Sequence, residues 1–343
     1  VGAERLATVK DDEDRHNYAY VFYGDTFFDT SKDPNWSGMG HEMIAFTHYY
    51  IVENGKSFYL HAGESINIKD IEVPHIRHDF HETSDDKSDW DNLMHAISDG
   101  ISRGEMTKVV ASREVQFTSD TPYNVASILA NLVENNPNCF IFGYEKDGRT
   151  FVGASPEILV RHRGSEILSY ALAGTAPKDG PHAWTKERLL TDEKNLFEHN
   201  IVRDRIVHTM NEVTQDISVG KTEIMELAHL YHLRTIITAK DSTKSLIEWA
   251  KLLHPTPALG GEPRDKALAL LQQYEAHERG MYAAPFGFMK DMGDGIIVVA
   301  IRSALIMDNV LYAYAGCGVV ADSDADEEYI ETNNKMRTIL DAL

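Results

Sequence analysis

An acidic segment near the end of the chain, ADSDADEEYIETNNKM at residues 321–336, carries six carboxylates in sixteen positions. Its aspartates begin at Asp322 with the spacing of a calcium-binding loop. However, Glu327 stands where that loop needs Gly for its turn, and Asn333 stands where it needs a bidentate Glu. A calcium loop is therefore disfavoured.

Read as a helix, the same segment predicts an apolar stripe that runs from Tyr329 to Leu343. Glu328, Glu331 and Lys335 fall together on roughly the opposite face. That face is either solvated, with a Glu331–Lys335 ion pair, or it forms one wall of a cation site. The second hypothesis requires carboxylates from another part of the chain.

Charged residues interrupt apolar patterns elsewhere in the chain. Glu193 and Glu198 interrupt an amphipathic helix pattern around TDEKNLFEHN, and Arg302 lies in the apolar run IIVVAIRSALI. A buried Arg usually has an anionic partner, which is either an internal acid or a bound anion. Lys108 lies in the strand-like run TKVVASREVQF, where a lone Lys is more often a surface residue.

The composition is typical of a soluble globular protein of 343 residues, large enough for one large domain or two smaller ones. A net charge of −21 disfavours nucleic acid and anionic membranes as partners, but allows a small anionic substrate beside a local cation. No apolar run approaches the ~20 residues of a membrane span. With two cysteines and no signal peptide, we expect a cytoplasmic protein.

Strand-like runs cluster instead of alternating with helices, which predicts an α+β fold with large antiparallel sheets flanked by helices. Residues 1–84 indicate an N-terminal β-rich part, and residues 85–343 a catalytic region that continues the same domain. Residues 80–90 read as a linker. A long helix is predicted over about 184–215, and a last helix from near Asp326.

Three other classes of protein were weighed against the charged residues. Gly316 to Ala321 matches the GxGxxA pattern of dinucleotide-binding loops, but too few residues follow it for the rest of that unit. A zinc hydrolase is not supported, because the pairs His41-Glu42 and His81-Glu82 lack the second histidine of HExxH. A non-catalytic acidic binding module remains the third alternative.

Nine motifs, in this order and spacing, resemble the chorismate-utilising enzymes, a family of isochorismate, salicylate, anthranilate and aminodeoxychorismate synthases. The resemblance covers the chain from about residue 90 to its end and implies the fold of the anthranilate synthase large subunit. The motifs are KVVASR (108–113), GASPEILV (153–160), LAGTAPK (172–178), DEKNLFEH (192–199), HPTPALGG (254–261), ERGMYAAPFG (278–287), VAIRSA (299–304), AGCGVV (315–320) and EYIETNNK (328–335).

The resemblance implies that Glu198 and Glu331 bind Mg²⁺, with Glu328 close behind. Mg²⁺ prefers oxygen ligands and keeps several waters, so two protein carboxylates and one substrate carboxylate form a reasonable set. In related enzymes the metal holds the ring carboxylate of chorismate, and Lys335 would lie beside it. Asn195 departs from the pattern, because some relatives carry an acid there.

The chemistry of the family adds a nucleophile at C2 of the chorismate ring and expels the C4 hydroxyl, which requires a base and an acid. The resemblance implies that Lys108 is the base that activates water and Glu157 is the acid. Lys108 must then be partly neutral and Glu157 partly protonated near pH 7. Burial favours the uncharged form of both groups.

The resemblance also implies a set of substrate-binding residues: Gly174, Thr175, His232, Ala258, Tyr282, Arg302, Gly316 and Lys335. Arg302 and Tyr282 would bind the enolpyruvyl carboxylate. Gly174 and Gly316 would let backbone N–H groups approach the substrate. His232 matches a family histidine near the ring, although a hydrogen-bonded structural histidine explains it equally well.

Positions that differ within the family favour water as the nucleophile. Ammonia-using members typically carry Gln where Lys108 stands, and the adduct-forming aminodeoxychorismate synthases carry Lys where Ala173 stands. Ala258 resembles isochorismate synthases more than salicylate synthases, in which Thr is common.

The sequence therefore predicts a magnesium-dependent isochorismate synthase, an isomerase that acts on chorismate without nucleic acid, a membrane or an obligate protein partner. A salicylate synthase, which would add pyruvate elimination, and an anthranilate synthase large subunit remain alternatives. Menaquinone and siderophore biosynthesis are equally compatible with this activity.

Overall fold

The computed structural model describes residues 6–7, 20–53, 55–68, 72–84, 87–290 and 293–343. None of the helices in these ranges is long and apolar enough to cross a membrane. They are α1 (Lys87–Ser102), α2 (Val125–Asn135), α3 (Lys186–Thr191), α4 (Glu193–Asn211), α5 (Leu246–Leu253), α6 (Arg264–Tyr274) and α7 (Ala325–Leu340), with a 3₁₀ helix at Pro34–Trp36.

The strands of the described ranges run from the N-terminal part to the last hairpin. They are β1 (Leu6–Ala7), β2 (Tyr20–Gly24), β3 (Glu42–Ile44), β4 (His48–Glu53), β5 (Lys56–His61), β6 (Phe80–Ser84), β7 (Lys108–Ser119), β8 (Phe140–Lys146), β9 (Arg149–Ser155), β10 (Ile158–Arg163), β11 (Glu166–Pro177), β12 (Ile217–Val219), β13 (Glu223–Glu226), β14 (Leu230–Lys240), β15 (Gly261–Glu262), β16 (Pro285–Lys290), β17 (Gly295–Val299), β18 (Ser303–Met307) and β19 (Val310–Val319).

Two large antiparallel sheets form the body of the fold. One has nine strands in the order β12-β14-β11-β10-β17-β16-β2-β3, with β13 also paired to β14. The other has seven strands in the order β15-β7-β19-β18-β9-β8, with β6 also paired to β7. A small third sheet has the order β1-β5-β4, in which β1 and β5 are parallel. The predicted α+β class with large antiparallel sheets is confirmed.

Among the places where the chain passes from one large sheet to the other, two short crossovers are neighbours. The first crossover holds Glu157, between β9 and β10, and the second holds Arg302, between β17 and β18. The two crossovers are hydrogen-bonded together: the Val299 N–H donates to the Glu157 carbonyl at 3.2 Å, and the Ala154 N–H donates to the Arg302 carbonyl at 3.0 Å. Both charged side chains therefore start from the same junction of the sheets.

Helices cover the sheets, and the largest core lies between the sheets. Helix α4 packs on β11 and β14, α7 packs on β19, and α1 and α6 pack on β7. The core combines Phe151 and Leu305 from the seven-stranded sheet with Ile167 and Ile237 from the nine-stranded sheet. Burial of such side chains, each worth about 1.5–3 kcal/mol, holds the crossovers in place.

Two predicted elements are wrong. The helix expected over about 184–215 is two helices, α3 and α4, because the Asp192 side chain accepts the N–H of Asn195 at 2.9 Å and begins a new helix there. The linker expected over 80–90 is strand at residues 80–84, where Phe80 packs edge-on against Phe117. Residues 85–86 lie outside the described ranges.

The N-terminal part shares a sheet with the rest of the chain. Strand β2 pairs with β16, and β3 pairs with β2, so strands from both sides of the predicted 84/85 boundary belong to the nine-stranded sheet. The boundary itself stays a prediction. The strands expected at residues 1–5 and 8–19 fall outside the described part of the chain.

Candidate active site

A polar cavity with about 540 Å³ of space, including its mouth, lies beside the two crossovers. The ends of β7, β11, β14 and β19 contribute its other walls. The predicted residues that line it are Glu157, Thr175, Glu198, His232, Ala258, Tyr282, Arg302, Gly316 and Lys335. The fold thus brings predicted residues from eight of the nine motifs, together with His232, into one cavity.

Glu157 is a buried carboxyl group at the first crossover. It is 2% exposed, and its Oε1 has no hydrogen-bond partner among the described residues. Burial raises the pKa of Glu157 to about 8, although the positive charges of Lys108, Arg302 and Lys335 oppose the shift. The carboxyl group therefore holds a proton at neutral pH and can donate it, as a general acid must.

Lys108 is the first residue of β7 and is fully buried. Its Nζ lies 2.8 Å from Glu198 Oε1 on α4, an ion pair without hydrogen-bond geometry. Gly318 on β19 leaves room for this pair, because an added Cβ would overlap Glu198 Oε1 and lie 2.7 Å from Lys108 Cε. The absence of a side chain at Gly318 therefore allows α4 and β7 to bring the two charges together.

Arg302 is a buried cation that pairs with no acid of the described residues. It is 6% exposed, its Nη2 donates to His232 Nε2 at 2.8 Å, and its Nε has no partner in that part of the chain. Its φ of 52° lies in the left-handed region, which costs a non-glycine residue about 1–3 kcal/mol. A strained, unpaired, buried guanidinium is suited to bind an anion.

Both ring nitrogens of His232 are engaged. Because Nε2 accepts from Arg302, Nδ1 carries the proton and donates to Thr175 Oγ1 at 3.0 Å. Burial, reinforced by the charge of Arg302, lowers the pKa of His232 well below its usual range. His232 is therefore a neutral ring that lines the cavity and also holds the Arg302 guanidinium.

Tyr282 and Gly316 form the next part of the wall. Tyr282 is 4% exposed, and an added Cβ at Gly316 would lie 2.9 Å from its hydroxyl. Burial raises the pKa of Tyr282, so the phenol stays neutral and can donate a hydrogen bond. Lys335 Nζ donates to the Gly316 carbonyl at 2.7 Å, which anchors α7 to β19 at this point.

The carboxylates of the predicted metal site all act on the pKa of one lysine, Lys194. Burial opposes a charge on Lys194, but its pKa is raised by the charge of Glu328 and, more weakly, of Glu331 and Glu198. The pKa of Glu328 is raised by burial and by the charge of Glu331, although Lys194 opposes this. Each carboxylate has its own lysine: Glu198 pairs with Lys108 at 2.8 Å, Glu328 with Lys194 at 2.8 Å and Glu331 with Lys335 at 2.7 Å.

The donor chemistry of these carboxylates fits Mg²⁺. Across the described ranges, no three His, Cys, Asp or Glu side chains form a ready-made metal site. However, Mg²⁺ is usually held by one or two carboxylates and keeps several waters, so it does not need such a cluster. The three glutamates offer only oxygen ligands, and the charges of all three raise the pKa of one cation, Lys194. The ligand set of Glu198, Glu331 and Glu328 stays a prediction.

Gly174 does not line the cavity. Its φ is +80°, and an added Cβ would lie 2.9 Å from the Asn195 carbonyl of α4, so a glycine is needed for β11 to pack against this helix. Asn195 Oδ1 accepts the Thr175 N–H at 2.8 Å. The amide that departs from the family pattern thus positions the strand that carries Thr175.

Sequence reasoning missed two cations near the site, the buried Arg279 and the half-buried Lys194. Arg279 lines the cavity, donates to Glu275 through Nε at 2.8 Å and Nη2 at 2.6 Å, and also donates to the carbonyls of Leu259 and Val110. Its position three residues before Tyr282 in ERGMYAAPFG was the available signal. Lys194 lies four residues before Glu198, which places both on one face of α4.

A larger cavity, with about 1400 Å³ of space including its mouth, lies between β2, β3, β8 and β16. Its walls are mainly apolar, and none of the predicted site residues line it. Cavity size therefore does not identify the site, whereas the convergence of buried charged groups does.

Known proteins resemble this chain in sequence and in fold. Residues 69–343 match the family model described as chorismate binding enzyme. The chain is 36% identical over 266 residues to isochorismate synthase MenF of Bacillus subtilis, covering 75% of this chain and 56% of that protein. It is 32% identical over 269 residues to isochorismate synthase DhbC of the same organism, covering 74% of this chain and 68% of that protein.

Among solved structures, MenF, the menaquinone-specific isochorismate synthase from Escherichia coli, has a TM-score of 0.80 at 26% identity, over 95% of this chain and 80% of that one. The chain spans little more than half the length of the Bacillus subtilis MenF, 56%. The resemblance predicted from the nine motifs is confirmed, and the family match begins before them, at residue 69. The chain belongs to the chorismate-binding enzyme family.

Proposed function

We propose that this chain is an isochorismate synthase, which adds water to chorismate at C2 and removes the C4 hydroxyl. The observation that carries the proposal is Glu157, a carboxyl group that burial keeps protonated in a cavity that also holds the unpaired cation Arg302. An acid and an anion site are what a dianionic substrate with a hydroxyl leaving group requires. The relatives named above, two isochorismate synthases, support the same choice.

The reaction that we propose consumes one water and releases one. The water oxygen bonds to C2 as its proton passes to the base, and the two ring double bonds shift. The C4–O bond breaks as the leaving hydroxyl takes the proton of Glu157 and departs as water. A positioned general acid contributes typically ~10²–10⁴-fold to such a step.

Lys108 is the base in this proposal, and this role requires a change in its contact with Glu198. Only a neutral amine accepts a proton from water, and the Lys108 Nζ lies 2.8 Å from a carboxylate oxygen of Glu198. The Lys108–Glu198 pair must therefore open before water is activated. The proposed role of Glu198 as a metal ligand is consistent with this, because an oxygen that binds another cation releases the lysine.

Arg302 and Tyr282 are assigned to the enolpyruvyl carboxylate. The Nε of Arg302 has no partner among the described residues and is free to donate, while its Nη2 is held by His232. The neutral phenol of Tyr282 supplies a second donor in the same wall. Charge-assisted hydrogen bonds of this kind are about twice as strong as neutral ones.

Mg²⁺ is assigned to Glu198 and Glu331, with Glu328 nearby. When bound, it would hold the ring carboxylate and offset part of the net charge of −21 that repels an anionic substrate. Lys335, held by the Gly316 carbonyl, supplies a second positive charge beside that carboxylate. Ala258 lines the cavity and leaves it apolar at that position.

Product analysis tests this function. The chain is incubated with chorismate, with and without Mg²⁺ and with and without ammonium, and the products are separated chromatographically, because isochorismate has the mass of chorismate. We expect an Mg²⁺-dependent isochorismate peak that ammonium does not change. Salicylate with pyruvate would identify a salicylate synthase, anthranilate formed with ammonium would identify an anthranilate synthase large subunit, and no product would reject the proposal.

Isochorismate supplies both menaquinone and siderophore biosynthesis, so the proposed activity is compatible with either pathway. We propose chorismate as the only partner of the reaction and the cytoplasm as its location. The two cysteines, Cys139 and Cys317, are both free thiols, as in a reducing compartment.

A further inference from the structure

The segment that connects β2 to β3, residues 25–39, lies over the loop that carries two residues of the site. We call residues 25–39 the N-terminal strap and residues 278–285 the tyrosine loop, which holds Arg279 and Tyr282. No motif of the family falls in the strap. Its contacts with the tyrosine loop are nevertheless extensive, and three kinds of interaction join the two segments.

The first kind of interaction is between backbones. The Asp25 N–H donates to the Pro285 carbonyl at 3.0 Å, and the Phe27 N–H donates to the Gly280 carbonyl at 2.8 Å. These bonds fix the strap to the end and to the middle of the tyrosine loop. Phe27 also lies over the Arg279 guanidinium, 4.2 Å from its ring centroid.

The second kind of interaction is a carboxylate that binds the strap backbone. Glu278 Oε2 accepts the Lys32 N–H at 2.6 Å, the Asp33 N–H at 3.1 Å and the Ser31 hydroxyl. Glu278 is the first residue of the tyrosine loop. One side chain therefore holds three consecutive residues of the strap.

The third kind of interaction is aromatic and reaches Tyr282 itself. Trp36 is 1% exposed and packs on Gly280, where an added Cβ would overlap the indole ring. The indole lies 5.8 Å from the ring of Tyr314, and Tyr314 stacks on Tyr282 at 5.4 Å with an interplanar angle of 21°. Trp36 thus supports the ring that supports Tyr282.

We propose that Trp36 and Glu278 are positioning residues that hold Tyr282 in place for the substrate, Trp36 through Tyr314 and Glu278 through the strap. The part of this inference that concerns the substrate rests on the proposed function. Displacing a binding group by about 1 Å can cost ~10²-fold in rate. The N-terminal strap therefore belongs to the machinery of the site, although it contains no residue that lines the cavity.

A double-mutant cycle tests the path through Tyr282. Trp36→Leu, Tyr282→Phe and the double variant are compared in kcat and KM for chorismate. Trp249→Leu is the matched control, because Trp249 is equally buried but lies in α5. We expect Trp36→Leu to raise KM about tenfold with a smaller change in kcat, and to change KM less than about twofold in the Tyr282→Phe background.

Hydrogen exchange of the free protein tests the same positioning without substrate. Trp36→Leu should speed exchange of the amides of residues 278–284 about tenfold, whereas Trp249→Leu should leave them unchanged. Glu278→Gln should also speed exchange of these amides, but by a smaller factor. It serves as the test if Trp36→Leu does not fold.

Equal exchange in both tryptophan variants, or equal effects of Trp36→Leu on KM in both Tyr282 backgrounds, would overturn the inference. If the unaltered chain forms no product from chorismate, the proposed function fails. Faster exchange confined to residues 278–284 would in that case still support the strap as the support of the tyrosine loop.

Discussion

The two ends of the candidate site hold charge in opposite ways. At the acidic end, Glu198, Glu328 and Glu331 each pair with a lysine. At the basic end, Arg302 has only the neutral ring of His232 as a partner among the described side chains. Buried charge is tolerated when it is paired and is costly when it is not. The acidic end is therefore balanced without a ligand, whereas the basic end needs an anion to balance it.

This difference predicts opposite signs for the effect of mutations on stability. Removing Glu198 or Glu331 from the acidic end leaves a buried lysine, Lys108 or Lys335, without its carboxylate, which destabilises the fold. Removing the guanidinium from the basic end deletes a charge that the fold does not neutralise. Glu157 differs from both the paired carboxylates and Arg302, because it is buried as a neutral acid and becomes charged only at higher pH.

Glu157→Gln should have the largest effect on activity. The amide keeps the shape of the carboxyl group but cannot donate an acidic proton, so we expect kcat to fall ~10²–10⁴-fold with little change in KM. Steady-state kinetics with chorismate measures this. Glu166→Gln, on the exposed end of β11, is the control and should keep full activity. A Glu157→Gln variant with normal kcat would remove Glu157 from the role of acid.

Arg302→Met should mainly weaken substrate binding. Loss of a buried charge-assisted contact costs roughly 2–5 kcal/mol, so we expect KM for chorismate to rise about 100-fold. Because the lost cation has no acid partner, the thermal midpoint should stay equal or rise. Arg161→Met, at an exposed arginine of β10, should change neither quantity. A destabilised variant with normal KM would show that Arg302 has a structural role. The charge at the basic end would then not need a bound anion to balance it.

Glu198→Gln should destabilise the fold, in contrast to Arg302→Met. It leaves the fully buried Lys108 without its carboxylate, and we expect a loss of ~1–3 kcal/mol in urea unfolding. The Mg²⁺ concentration for half-maximal activity should rise at least about tenfold, since a ligand is weakened. Glu212→Gln, just beyond α4, is the matched control. Unchanged Mg²⁺ dependence would contradict the assigned metal site.

The smallest effect should be a pH dependence of stability. Burial raises the pKa of Glu157 from its usual 4.5 to about 8, so its contribution is complete below about 4.5 and is lost as pH rises to about 8. Thermal midpoints measured from pH 5 to 9 should fall more steeply in the unaltered chain than in Glu157→Gln. Parallel curves would show that this carboxyl group is not buried as a neutral acid.

The parts of the site that could be predicted are those set by local spacing or by motif. The Glu331–Lys335 pair follows from an i, i+4 spacing on one helix, and it is present at 2.7 Å. Of the charged side chains that line the cavity, all except Arg279 were predicted as site residues from the sequence. The helix break at Asp192 was readable in principle as a cap, but a continuous apolar pattern was followed instead.

Contacts between distant segments could not be predicted in the same way. The Lys108–Glu198 pair depends on how α4 lies against β7 and β19, and on the missing side chain of Gly318. Nothing near Trp36 in the sequence indicates that it packs on Gly280 and supports Tyr314. Periodicity describes one element at a time, so it contains no information about which elements meet.

The sequence by itself determined the α+β class, the family and the residue types that the chemistry requires, because these follow from periodicity and from motifs of adjacent residues. Only the tertiary structure decided which charges are balanced. The sheet crossovers put Glu157 where burial raises its pKa and leave Arg302 without an acid among the described residues. Burial and pairing arise from contacts between positions far apart in the chain, and those contacts exist only once the two sheets have packed together.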